Sequence, residues 1–327
     1  METPVENRKT ENINGIDLVK FLCSLLVMAV HIYPFRDYPQ SLGTPLNFFM
    51  QVYLARPAVP FFFLCTGFFL FGKAGLTPPQ GRPVLHTCLR LLRMGLLWRL
   101  LSPVNYGHLW YLTAAVAAVG LLYLFGKLGM KIHHLCLLAV VLYLIGLSGD
   151  TYRGLTRPLE QTALLGPLIR SYRGTFRYTR NGIFMGFPFV LLGAILAHHP
   201  LKLPRKTLVF GLSAAMAGLL VEAALLHHFR IPFDYNMYLL LPPVVVLLFC
   251  LARDLALPDR PLWPWLRKLG VLVYYLHMPV FYLLFRHFPS LNPWLFSLTA
   301  LGSLALGWLI LTLSRLRPFR WLRLLYT

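Results

Sequence analysis

Apolar residues recur along this chain in stretches of about 19, the length a helix needs to cross a bilayer, with short polar segments between them. Ten such stretches lie at roughly 15–34, 48–71, 84–101, 108–126, 132–148, 181–198, 207–226, 235–252, 270–287 and 294–314. The third is the weakest, because Arg90, Arg93 and Arg99 interrupt it, and the fifth is short. The pattern predicts an all-α, polytopic integral membrane protein of about ten transmembrane helices, forming a single membrane domain over 1–327. An even number of spans puts both termini on one side. Nineteen of the 31 lysines and arginines, from Arg8 and Lys9 to Arg320 and Arg323, fall on the side of the N-terminus. The positive-inside tendency therefore predicts cytoplasmic termini.

Composition agrees with that class and narrows it. Hydrophobic residues make up 57% of 327 and charged residues only 13%, a balance too apolar for a soluble domain. The net charge of +20 does not indicate nucleic acid, since the basic residues recur between apolar spans instead of forming one patch. The five cysteines lie inside apolar stretches without paired spacing, which predicts neither disulfides nor a metal site. No small-residue cleavage site follows the first span, so it is not read as a signal peptide. Internal repeats and low-complexity tracts are absent from the sequence. The expected location is a cell membrane, plasma or inner, with several passes.

One segment departs from the charge rule. Residues 149–180 fall on the outer side yet carry Arg153, Arg157, Arg170, Arg173, Arg177 and Arg180. Long loops translocate despite such charge, so the arginines can simply solvate the loop. They also suit an anionic partner, such as a phosphorylated glycan or a lipid headgroup.

The first span holds the most unusual chemistry. It carries Asp17, Lys20 and His31, and an Asp or Lys near the centre of a span costs roughly 2.5–3.5 kcal/mol on insertion scales. At about 100° and ~1.5 Å per residue, the steps from Lys20 to His31 return to within roughly 20° of one face and cover about 16 Å. One stripe therefore joins a cation at the inner surface to an imidazole towards the outer one. Arg56 in the second span, His108 at the start of the fourth, and Arg180 and Asn181 at the start of the sixth reach roughly the depth of His31. These groups predict a polar chamber that opens outwards. Each also has a plainer use: a lone imidazole can bridge helices, Trp110 and Tyr111 suit an aromatic belt, Arg56 can snorkel, and Cys65-Thr66-Gly67 can be a close-packing face. His277 lies mid-span beside Pro279, and Glu222 reads as a structural partner.

Asp17-Leu18-Val19-Lys20 followed by His31 resembles the opening motif of the acyltransferase 3 family of integral membrane acyltransferases, with Lys where Arg is commoner. Residues 59–68, Val-Pro-Phe-Phe-Phe-Leu-Cys-Thr-Gly-Phe, resemble that family's Val-Pro-x-Phe-Phe-x-x-Ser-Gly-Phe segment, with Thr66 for Ser. His108-Leu109-Trp110-Tyr111-Leu112 and Tyr275-Leu276-His277-Met278-Pro279 resemble two further elements. Residues 179–188 are similar to the membrane portion of the serine racemases of glycopeptide resistance. Those proteins carry a soluble racemase domain beyond it, and none is read here before Thr327, so racemisation is not carried over.

The resemblance implies transfer of an acyl group from cytoplasmic acyl-CoA, acetyl-CoA first, to a hydroxyl of an extracytoplasmic glycan, lipid-linked sugar or other envelope acceptor. Acyl-CoA is then a co-substrate and no bound cofactor or metal is expected. His31 would be general base or acylated nucleophile, with Arg56 or Asn181 stabilising the oxyanion. Asp17 belongs to the same motif, but at roughly 21 Å along the helix it does not reach the acceptor. Lys20, Arg90 and Arg93 would hold the CoA phosphates, and His108, Trp110, Tyr111, Arg177, Arg180 and His277 the acceptor. A transporter or flippase, or a non-catalytic sensor, for a polar or anionic substrate would use the same intramembrane charges.

Overall fold

The computed structural model describes residues 13–35, 40–101, 107–288 and 294–327, and among them there is helix and no strand. Arg8 and Lys9, counted above for orientation, lie outside the described residues. The helices are α1 (Asn14–His31), α2 (Gln40–Phe48), α3 (Ala58–Ala74), α4 (Gly81–Leu101), α5 (Trp110–Lys127), α6 (Ile132–Gly149), α7 (Arg153–Thr156), α8 (Gly166–Thr175), α9 (Phe187–His198), α10 (Arg205–His228), α11 (Leu241–Arg253), α12 (Leu262–His287) and α13 (Leu295–Leu313).

Every one of the ten predicted stretches overlaps helix, but they are unequal. Among the described residues seven helical segments are long and apolar enough to cross a membrane: Asn14–His31, Gln40–Ala74, Gly107–Lys127, Ile132–Gly149, Arg205–His228, Leu262–His287 and Leu295–Leu313. Gly182–His198 and Leu241–Arg253 are apolar but shorter. The remaining helix, α4, keeps Arg82, Arg90, Arg93 and Arg99 along its length.

The second stretch is longer than its hydropathy suggests. It starts at Gln40, widens into a π-helical turn at Phe49–Leu54, and resumes as α3 only after Pro57. Proline there lacks the N–H that would continue the ladder, and its fixed φ suits a new first turn. Residues 149–180 are not bare loop either. They hold α7, a 3₁₀ turn (Arg157–Gln161) and α8. Arg173 pairs with Glu160 and donates to Thr156 Oγ1 at 2.7 Å, so it is a clamp within this segment.

Glycines set the tightest packing. α3 and α9 touch backbone to backbone, with Gly67 against the Val190 carbonyl and Gly193 against the Leu64 carbonyl. α1 lies along α12, where Gly270 faces Phe21 and Ser24. Small residues allow this approach, which a bilayer protein needs because apolar side chains gain little by leaving lipid.

Glu222 on α10 is the structural partner its isolation suggested. Its carboxylate accepts from Tyr152 Oη at 2.7 Å and from the Leu239 and Leu240 N–H groups at 2.6 and 3.0 Å, answering donors at the start of α11. Glu222→Leu strands all three donors. It should cost about 2–4 kcal/mol of stability, read as a fall of several degrees in thermal unfolding in detergent, with Glu222→Gln losing less.

Candidate functional site

α1 ends at His31, and two other segments bring imidazoles to it. The His277 ring, on α12, stacks at 5.5 Å between centroids and 25° between planes. The His108 ring, from the 3₁₀ turn before α5, stands at 6.1 Å from His31 and 4.9 Å from His277. His108 and His277 are buried, at 2% and 0% exposure. Tyr274 Oη donates to the His108 carbonyl at 2.6 Å and fixes that turn against α12. Three histidines far apart in sequence thus form one cluster, with the guanidinium groups of Arg56 and Arg180 within electrostatic range of His31. Among the described residues no set of three His, Cys, Asp or Glu side chains could hold a metal ion.

The other end of α1 opens into a cavity of about 720 Å³. Its basic lining comes from Lys20, Lys73, Arg82, His86, Arg90 and Arg267, and Tyr275 and Tyr326 add aromatic wall. Arg82, His86 and Arg90 are four residues apart on α4, so one helix face presents all three. Asp17 pairs with Arg267 at 3.7 Å and is buried, so it supports the basic rim and stays remote from the imidazoles. Phe62, Thr66, Tyr111 and Tyr274 also line it. The rings of Phe62, Tyr111 and Tyr274 lie 6.0, 6.1 and 6.4 Å from one another and form an aromatic layer. The Tyr274 ring is in turn 5.7 Å from the His108 ring.

Some residues singled out from sequence sit elsewhere than expected. Arg93 does not line the cavity; it donates to the Thr327 carbonyl at 2.6 Å. Tyr111 lines this cavity and shares a hydrogen bond with Thr66 Oγ1 at 3.3 Å. Asn181 is a helix cap: its Oδ1 accepts from the Ile183 and Phe184 N–H groups at 2.9 and 3.1 Å, and its Nδ2 donates to the Tyr178 carbonyl at 3.1 Å. Arg56, by contrast, donates from Nη1 to Asn236 Oδ1 at 2.8 Å. Arg180 pairs with Asp234 at 3.3 Å and lies 6.0 Å from the Trp110 ring, whereas exposed Arg177 lies against Tyr178.

The sequence reading missed the segment between α10 and α11. Asp150, just past α6, accepts from the Asn236 and Met237 N–H groups at 2.8 and 3.2 Å, and Asn236 Oδ1 accepts from Arg56 Nη1 at 2.8 Å. Burial, followed by the neighbouring Asp234, pushes the Asp150 carboxyl above the usual carboxylate range.

With this geometry, residues 13–104 match the family of acyltransferase domains. That match agrees with the resemblance of the first span and of residues 59–68 to the acyltransferase 3 family. The match covers Asp17, Lys20, His31, Arg56 and the basic face of α4. Beyond the acyltransferase 3 match, the chain is 29% identical to an amino-acid racemase of Enterococcus faecalis, over 92% of this chain and 46% of that protein. It is 30% identical to a serine/alanine racemase of Enterococcus gallinarum, over 80% of this chain and 40% of that protein. The chain thus spans less than half the length of these relatives. No solved structure matches it.

Proposed function

We propose that this acyltransferase carries an acyl group, acetyl first, from acyl-CoA on the cytoplasmic side to a hydroxyl of a glycan, lipid-linked sugar or other envelope acceptor outside. The observation that carries the reading is the placement of a basic-rimmed cavity and an imidazole cluster at opposite ends of α1. The proposal includes a single membrane domain of ten crossings in the cell membrane, with both termini cytoplasmic, so that the basic rim faces acyl-CoA. Lys20, Arg82, Arg90 and Arg267 then meet the CoA phosphates, and the pantetheine arm runs inward to the Phe62–Tyr111–Tyr274 layer. Arg guanidinium groups suit phosphate through paired N–H donors.

At the outer end the acceptor hydroxyl oxygen attacks the thioester carbonyl carbon while His31 takes the hydroxyl proton. Arg56 stabilises the oxyanion of the tetrahedral intermediate. The C–S bond then breaks, and the thiolate leaves as CoA-SH with the proton returned by His31. The ring layer must open for the thioester to reach the imidazole, which keeps the thioester from water until an acceptor is in place. Trp110, Arg177 and Arg180 lie towards the acceptor, with His108 and His277 flanking the base.

The test is transfer of label from acetyl-CoA to a crude envelope glycan fraction in proteoliposomes. Arg90→Glu and Lys20→Glu each remove a cation from the phosphate site and should raise the donor KM about tenfold or more, with a smaller effect on kcat. If the wild type consumes no thioester, or if the donor KM stays unmoved, the reading fails.

A further inference from the structure

Both guanidinium groups of the outer chamber are held by one non-helical segment, 233–240, that comes from elsewhere in the chain. Asn236 bonds Arg56, and Asp234 two residues earlier pairs with Arg180. The segment is pinned at both ends. Asp150 accepts the N–H groups of Asn236 and Met237, and its carbonyl accepts the Phe233 N–H at 3.1 Å. Glu222 accepts those of Leu239 and Leu240.

The Asn236 side chain is the bridge. Its Nδ2 donates to Asp150 Oδ2 at 3.3 Å and its Oδ1 accepts from Arg56 Nη1 at 2.8 Å. An amide between a carboxylate, which only accepts, and a guanidinium, which only donates, has one orientation that satisfies both. Asp150 is 1% exposed and also accepts from Thr151 Oγ1 at 2.8 Å, so it cannot swing away without stranding several donors. Arg56 is thereby tied to a neutral partner, and its Nε has no hydrogen-bond partner among the described residues. Among the described residues no carboxylate touches Arg56 directly, and a cation restrained in place in this way is what oxyanion stabilisation requires, since the donor need not be ordered at the moment of reaction.

We infer that Asn236 and Asp150 are positioning residues that hold the Arg56 guanidinium in place for the transfer step. This rests on the acyl-transfer reading above. Asn236→Ala removes the bridge but keeps the backbone bonds to Asp150, so the segment stays anchored. Asn236→Ser, too short to span both partners, serves as a second variant should the first fail to fold.

The experiment combines kinetics and chemical labelling on the full chain in proteoliposomes. Asn236→Ala should lower kcat roughly 10- to 100-fold with both KM values within about threefold, as a displaced oxyanion donor does. The double variant Asn236→Ala/Arg56→Ala should be no slower than Arg56→Ala alone, because Asn236 acts through Arg56. Independently of any activity, phenylglyoxal should modify Arg56 several-fold faster in Asn236→Ala and Asn236→Ser than in wild type, read by peptide mass spectrometry. A double variant slowed by the product of the two single effects, or Arg56 labelling that does not change, overturns the inference. A wild type that transfers no acyl group defeats the acyl-transfer reading alone, and the labelling then decides whether Asn236 holds Arg56.

Discussion

His31→Gln should reduce acyl transfer by roughly 10²–10⁴-fold, the range a positioned general base contributes. Glutamine keeps nearly the size and hydrogen-bonding character of the ring but takes up no proton. The His31 ring contacts its neighbours His108 and His277 through ring faces and edges, at 6.1 and 5.5 Å, so the substitution removes chemistry more than packing. Thermal unfolding should therefore stay within a few degrees of wild type while turnover falls. Retained transfer would move the base to one of the other two imidazoles. If His31 is instead acylated, withholding the acceptor should leave an acyl adduct on His31 detectable by mass spectrometry. The base reading expects none.

How far the sequence anticipated this site depends on how local each determinant is. Lys20 and His31 were readable because both lie on α1, where a helical period alone relates them. The basic face of α4 is half readable: Arg90 stands out as an interruption of an apolar stretch, whereas Arg82 and His86, at the same four-residue spacing, lie at or before its start. The Asn181 cap was legible as well, because an Asn directly before Gly-Ile-Phe is an N-cap signal, and its satisfied side chain is better explained that way. Other roles depend on partners that no local pattern announces. Arg93 meets Thr327 and Tyr111 meets Thr66, while Asp150 and Asn236 are 86 residues apart in sequence. The number of crossings is less legible for a related reason. Hydropathy windows see apolar length, but Gly182–His198 and Leu241–Arg253 are helices shorter than a full span.

Gly67→Val should prevent stable folding, and Gly193→Val should do the same. A Cβ at Gly67 would run into the Val190 carbonyl, and one at Gly193 into the Leu64 carbonyl. The obstacles are backbone atoms of α9 and α3, so no flexible side chain can move aside. The two helices would have to separate along a contact whose neighbours, Phe63, Phe187 and Phe189, are fully buried. Overpacking a yielding core costs about 1–3 kcal/mol, and a backbone clash between spanning helices should exceed about 4 kcal/mol. The measurement is the yield of monodisperse protein in detergent together with its unfolding temperature. Gly120→Ala is the control: a Cβ there meets nothing within 4 Å, and alanine favours helix by up to about 1 kcal/mol. Wild-type yield and stability for Gly67→Val would mean that α3 and α9 do not pack this closely. That result would also unsettle the donor cavity, because Thr66, one residue before Gly67, forms part of its wall.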